Sequence, residues 1–148
     1  MLCDRVNGPA QPEGGWILRG QRWAVSSHPL LPVPGWILIQ TVRHVESLAD
    51  LDEPEAQELG GVLRRTYRAL QAVTGHDRVY SLSMGEQVRH VHILAGVPRE
   101  DDAGRGARLM IRLLNRDPSL AEAERSHAMS AELAAALAAD VGTVTPAR

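Results

Sequence analysis

The sequence has no lysine, no phenylalanine, a single cysteine and no long apolar run. Without lysine, all 16 basic residues are arginine. This composition reads as coding bias from a GC-rich genome and says little about function. A lone Cys3 excludes an intrachain disulfide framework and suits a reducing cytosol. No apolar stretch approaches the ~18 residues of a membrane span. The opening "MLCDRVNGPAQPEGG" is polar and rich in Gly and Pro, so it lacks the apolar centre of a signal peptide. The expected location is therefore cytoplasmic, with no membrane partner. Nor is there an excess of positive charge: the formal net charge is −2, which argues against a nucleic-acid partner.

What is present suits one globular unit. A chain of 148 residues with 44% hydrophobic residues can bury a core without disulfides or metal. Two apolar runs flank Arg19-Gly20-Gln21, which predicts a hairpin over 16–27. "HPLLPVPG" is a proline-rich connection, and "WILIQTV" (36–42) is a buried strand by its β-branched and aromatic content. Leu59, Val62, Leu63, Tyr67, Leu70 and Val73 recur at helical spacing. Asp52 or Glu53 is placed to cap that helix, Pro54 suits its first turn and Gly75 its end. Gly60-Gly61 within it suggests close packing. "RVYSLSM" alternates as a strand, "GEQ" turns the chain, and "VRHVHILAGVP" reads as the next strand. A short helix, "ARLMIRLLNR", and a longer one across 118–140, capped by Asp117 or Ser119, complete the chain.

His90 and His92 stand out among 6 histidines. On a strand they and Leu94 would share one face, with their Cα atoms roughly 7 Å apart. Three readings compete for such a pair. It is two ordinary half-buried imidazoles, a metal site, or a nucleophile whose second nitrogen is held by a carbonyl.

The surroundings favour the third reading. "MGEQVRHVHILAGVPR" resembles the signature of the histidine triad (HIT) family: a glycine turn leading into alternating histidines and apolar residues, followed by Pro-Arg. The order of "WILIQTVRHVESLADLDEPEAQELGGVLRRTYRAL" and "DRVYSLSMGE" is similar to the same family upstream. The resemblance implies an α+β fold, with an antiparallel sheet of about five strands and one long helix. It places a HIT-like core at 1–100 and a helical C-terminal extension of the same domain at 101–148. It also implies a homodimer that hydrolyses or transfers a nucleotidyl group at an α-phosphate. The nucleophile of that reaction falls on His92, with His90 beside it, and phosphate-binding groups fall on Gly85, Glu86 and Gln87. The substrate is a small nucleotide or phosphorylated molecule, with Trp36 a candidate to stack on a base.

The chain departs from the family pattern at three places. Leu94 stands where the third histidine would be, and leucine donates no hydrogen bond. His28 stands where a ribose-binding acid is expected. Of the ligands used by zinc-containing relatives, Cys3, His44 and His90 match, while Val6 replaces the fourth. The resemblance requires no cofactor, and zinc is a candidate at those three residues. The alternative reading is a catalytically altered protein of this fold, either a non-catalytic nucleotide or ligand binder or a repurposed enzyme of specialised metabolism, with or without a metal. Arg43, Arg89 and Arg99, and the trio Arg105, Arg108 and Arg112 on one helix face, are further candidates to meet an anion.

Overall fold

A computed structural model describes residues 8–9, 11–99 and 105–140. Five strands form one antiparallel sheet: β1 (Trp16–Arg19), β2 (Trp23–Ser27), β3 (Trp36–Thr41), β4 (Tyr80–Leu82) and β5 (His92–Gly96). Their spatial order is β1-β2-β3-β5-β4, which puts β3 and β5 in the interior of the sheet. β2 and β3 are buried along their whole length, as their apolar runs require. The fold is α+β, with the expected hairpin and five-stranded antiparallel sheet.

The long helix α1 (Glu53–Thr74) forms where the spacing predicts. Asp52 accepts from the Glu55 N–H, and Glu55 reaches back to the Asp52 N–H, a reciprocal cap that satisfies two end donors. Gly75 ends the helix in the left-handed conformation, φ 74°. Gly60 and Gly61 do not mark close packing. A Cβ at either would meet nothing within 4 Å, because both lie on the exposed face.

Two further helices follow, α2 (Ala107–Leu114) and α3 (Ala123–Asp140). The predicted helix across 118–140 is broken. Pro118–Leu120 is a separate 3-10 turn capped by Asp117, and Ala121 is extended. Leu120 turns into the interior, and the Glu122 N–H donates to the Pro32 carbonyl, so packing wins over local helix propensity.

The sheet has two apolar faces. On one, Trp23, Val25, Ile37, Ile39 and Ile93 pack with α1 and with Leu133 and Leu137 of α3. On the other, Trp36 and Leu94 pack with Leu109 and Leu113 of α2 and with Leu120. This second face carries His92, and α2 shapes the space in front of it. No helix among the described residues is long and apolar enough to cross a membrane.

Candidate functional site

β5 is shorter than its apolar run predicts. The strand begins at His92, where the ladder with β3 starts at the pair Gln40–His92. His90 lies before it, in a bend whose N–H donates to the Val88 carbonyl, while the Val91 N–H goes to the Val45 carbonyl. The two imidazoles therefore do not stand side by side on one strand face. The bend buries His90 and leaves His92 half-buried at a cavity.

The hydrogen bonds set both tautomers. His92 Nδ1 lies 2.6 Å from the His90 carbonyl, which can only accept, so Nδ1 carries the proton. The neutral ring then has its lone pair on Nε2. His90 Nε2 lies 2.8 Å from the Thr41 carbonyl and so donates to it, with Thr41 Oγ1 at 3.1 Å as a second partner. A chain of bonds thus runs from β3 through His90 to His92. Thr41 anchors the His90 ring, and the His90 backbone orients the His92 imidazole.

Burial lowers the pKa of His90 below its ordinary 6.5; the Thr41 carbonyl opposes this, and the nearby His44 and His92 add to it. The sign of its effect on stability follows. A neutral, buried base stabilises the fold above pH 6.5, because the unfolded chain then has no proton to gain. As pH falls, the unfolded chain protonates first, and this contribution is lost down through the folded pKa. The urea midpoint is expected to fall between about pH 7.5 and 5.5, and His90→Asn should flatten that slope whatever it does to the midpoint itself. An unchanged slope in the variant would refute the assignment.

A cavity of about 370 Å³ opens in front of His92. Glu86 and Gln87 of the glycine turn border it, as do Leu94 of β5, Leu113 of α2 and His28. Turn residues 85–87 are exposed. His28 is tied into its own loop, where Nδ1 accepts from the N–H groups of Leu30 and Leu31. Trp36 is not available to stack on a base: it is 1% exposed, and its Nε1 donates to the Val97 carbonyl at 3.0 Å. That is a correction to its expected role, and it arises because Trp36 points into the α2 side of the core.

Comparison with known proteins adds to this geometry. No family model and no curated protein matches the sequence. Solved structures do match. A hypothetical histidine triad nucleotide-binding protein from Sulfolobus tokodaii superposes with a TM-score of 0.70 at 15% identity, over 98% of this chain and 98% of that one. A Zn-bound histidine triad family protein from Mycobacterium smegmatis gives 0.71 at 18% identity, covering 95% and 94%. This chain has the HIT fold. A uridylyltransferase also matches, with a TM-score of 0.66 at 20% identity, over 93% of this chain and 45% of that one.

Within the HIT fold the arginines separate into paired and pocket-facing groups. Arg43 is bound to Glu55, Arg89 to Glu46 and Arg99 to Glu122. Arg112 is committed to Asp117 and Ser119, so it does not close over the cavity. The Ser119 hydroxyl, and after it the contact with Arg112, holds the Asp117 carboxyl down at about 2. The cavity arginine is Arg116, which the helical spacing of the trio gave no reason to single out. It sits just past α2 with φ 52°, and its Nη2 donates to Gln87 Oε1 at 3.2 Å.

The donor set for zinc is incomplete among the described residues. The His44 and His90 rings stand edge to face, with centroids 5.6 Å apart. Among those residues no group of three or more His, Cys, Asp or Glu side chains could hold a metal. Cys3 lies outside the described residues.

Proposed function

We propose that this protein hydrolyses or transfers a group at phosphorus through a covalent intermediate on His92. The single observation that carries the reading is the 2.6 Å contact of His92 Nδ1 with the His90 carbonyl, in a cavity bordered by the glycine turn. That contact leaves the nucleophilic pair on Nε2. In the first step Nε2 attacks phosphorus, and the bond to the leaving oxygen or nitrogen breaks. The leaving group keeps the electron pair and takes a proton from solvent. In the second step water, or an acceptor phosphate, attacks phosphorus; the P–Nε2 bond breaks, its electron pair returns to His92, and a water nucleophile gives up a proton to solvent. Leu94 donates nothing to the phosphoryl oxygens, so in this reading the backbone N–H groups of Gly85, Glu86 and Gln87 receive their charge.

Nucleotides are the first substrates to test, because the matching structures include a protein named for nucleotide binding and a uridylyltransferase. The protein is incubated with adenosine phosphoramidate, diadenosine tetraphosphate and a nucleotide sugar. Product release, with a nucleotidyl adduct mapped by mass to His92, is the expected result. Nucleotide binding without turnover would instead support the second reading, a ligand binder, which Leu94 favours.

The proposal extends to the assembly. Among the described residues β4 pairs with β5 alone, so in this proposal its outer edge joins the sheet of a second copy. No step of the reaction draws on a metal; zinc, if bound, would sit on Cys3, His44 and His90. Native mass spectrometry reads both points at once. Two chains per particle are expected, a single-chain mass removes the dimer, and a mass without zinc removes the metal.

A further inference from the structure

The cavity in front of His92 is lined unlike a site for ribose. Leu38, Leu82, Leu94 and Leu113 contribute apolar walls. Five large hydrophobic side chains are exposed among the described residues, and three of them ring this cavity: Leu30 at 58%, Met84 at 45% and Leu114 at 46%. Exposed apolar groups gathered around a concave site are covered when a ligand fills it. The position that would meet a sugar diol is His28, whose Nδ1 is committed to two backbone N–H groups of its own loop. Two charged side chains of opposite sign, Arg116 and Glu86, border the cavity. Arg116 is held toward the turn by the neutral Gln87 amide, which leaves its charge uncompensated by that bond. Glu86 disfavours a second negative charge.

We propose that the site takes a monoanionic phosphorus ester whose cavity-bound substituent is an apolar aryl or alkyl group rather than a ribonucleoside, with Arg116 receiving the anion. The inference rests on the reading of His92 as nucleophile and narrows its substrate class. For an aryl phosphoramidate the steps balance simply. Nε2 bonds to phosphorus, the P–N bond breaks and ammonia leaves with a proton from solvent. Water then releases the aryl phosphate and restores His92.

The test compares 2-(2-naphthyl)ethyl phosphoramidate with adenosine 5′-phosphoramidate. Both are monoanionic esters of a primary alcohol with the same leaving group, so ammonia release reads the cavity substituent rather than intrinsic reactivity at phosphorus. The naphthyl ester should have the higher kcat/KM by at least about tenfold, the scale set by a modest difference in apolar fit. Leu114→Gln, which makes one wall of the cavity polar, should lower the naphthyl value more than the adenosine value and so shrink the ratio between them. Arg116→Asn keeps a residue that tolerates positive φ and should weaken both substrates alike. Equal or better turnover of the adenosine compound overturns the inference and leaves the His92 reading intact. If neither compound turns over, the His92 reading fails, and calorimetric binding of the same two compounds decides the substrate class. Tighter binding of the naphthyl ester, again by about tenfold, sustains the apolar site; equal or tighter adenosine binding overturns it.

Discussion

His92→Ala should reduce turnover by about 10⁴-fold or more, the loss expected when the only nucleophile of a covalent mechanism is removed. The size follows from the role proposed for the residue. Its Nδ1–H is tied to the His90 carbonyl at 2.6 Å, so the lone pair on Nε2 is available without a proton first being lost. Alanine removes the attacking atom, and Leu94 beside it offers no replacement. The fold should survive, since His92 is half-buried at a cavity wall and the hydrogen bond lost is worth about 1 kcal/mol. The check is kcat measured beside a thermal melt. A folded His92→Ala protein that keeps its turnover would sink the mechanism. A second variant separates positioning from attack: His90→Ala leaves the carbonyl in place but frees the bend from Thr41, so it should lower kcat by less than His92→Ala does.

The second large effect concerns the fold itself. Gly96→Val should destabilise the protein by roughly 4 kcal/mol or more, beyond the usual cost of overpacking. Gly96 lies opposite Trp36 in the β3–β5 ladder and opposite Tyr80 in the β4–β5 ladder. A Cβ at this position would fall inside the Trp36 indole. The indole has nowhere to go. It is 1% exposed, bonded to the Val97 carbonyl and packed at 6.4 Å, centroid to centroid, from the Tyr80 ring. Separating the strands would break the ladder that positions His92. Given total stabilities of about 5–15 kcal/mol for domains, much of the protein should be unfolded at 37 °C. Urea denaturation measures the loss, and Gly96→Ala should show a smaller one in the same direction. Trp36→Leu should recover part of the loss when combined with Gly96→Val, although alone it destabilises. A Gly96→Val protein within 1 kcal/mol of the parent would show that the indole is not where the structure puts it.

The two effects show which parts of the molecule could be read from sequence. The reciprocal cap of α1 is written in Asp52, Pro54 and Glu55, because capping depends on residues a few positions apart. The hairpin around Gly20 followed from its apolar runs and turn residues for the same reason. The HIT fold was legible through a pattern spread over several elements. Arg116 was not. Its approach to the cavity depends on where α2 ends, on a left-handed backbone at a non-glycine residue and on Gln87 across the turn. The break at Ala121 was equally hidden, since it arises when Leu120 is drawn into the core against an Ala-rich helical sequence.

The sequence by itself determined most of the elements and the α+β class, and it singled out His92 as the candidate nucleophile. These rest on local spacing, side-chain chemistry and a distributed motif. Tertiary structure decided the rest. It turned His90 out of the strand and into the interior, set both tautomers through backbone carbonyls and spent Arg112 on Asp117 while leaving Arg116 to the cavity. The physical reason is that carbonyl direction, burial and ion pairing are properties of chain segments far apart in sequence, fixed only when the two faces of the sheet are covered.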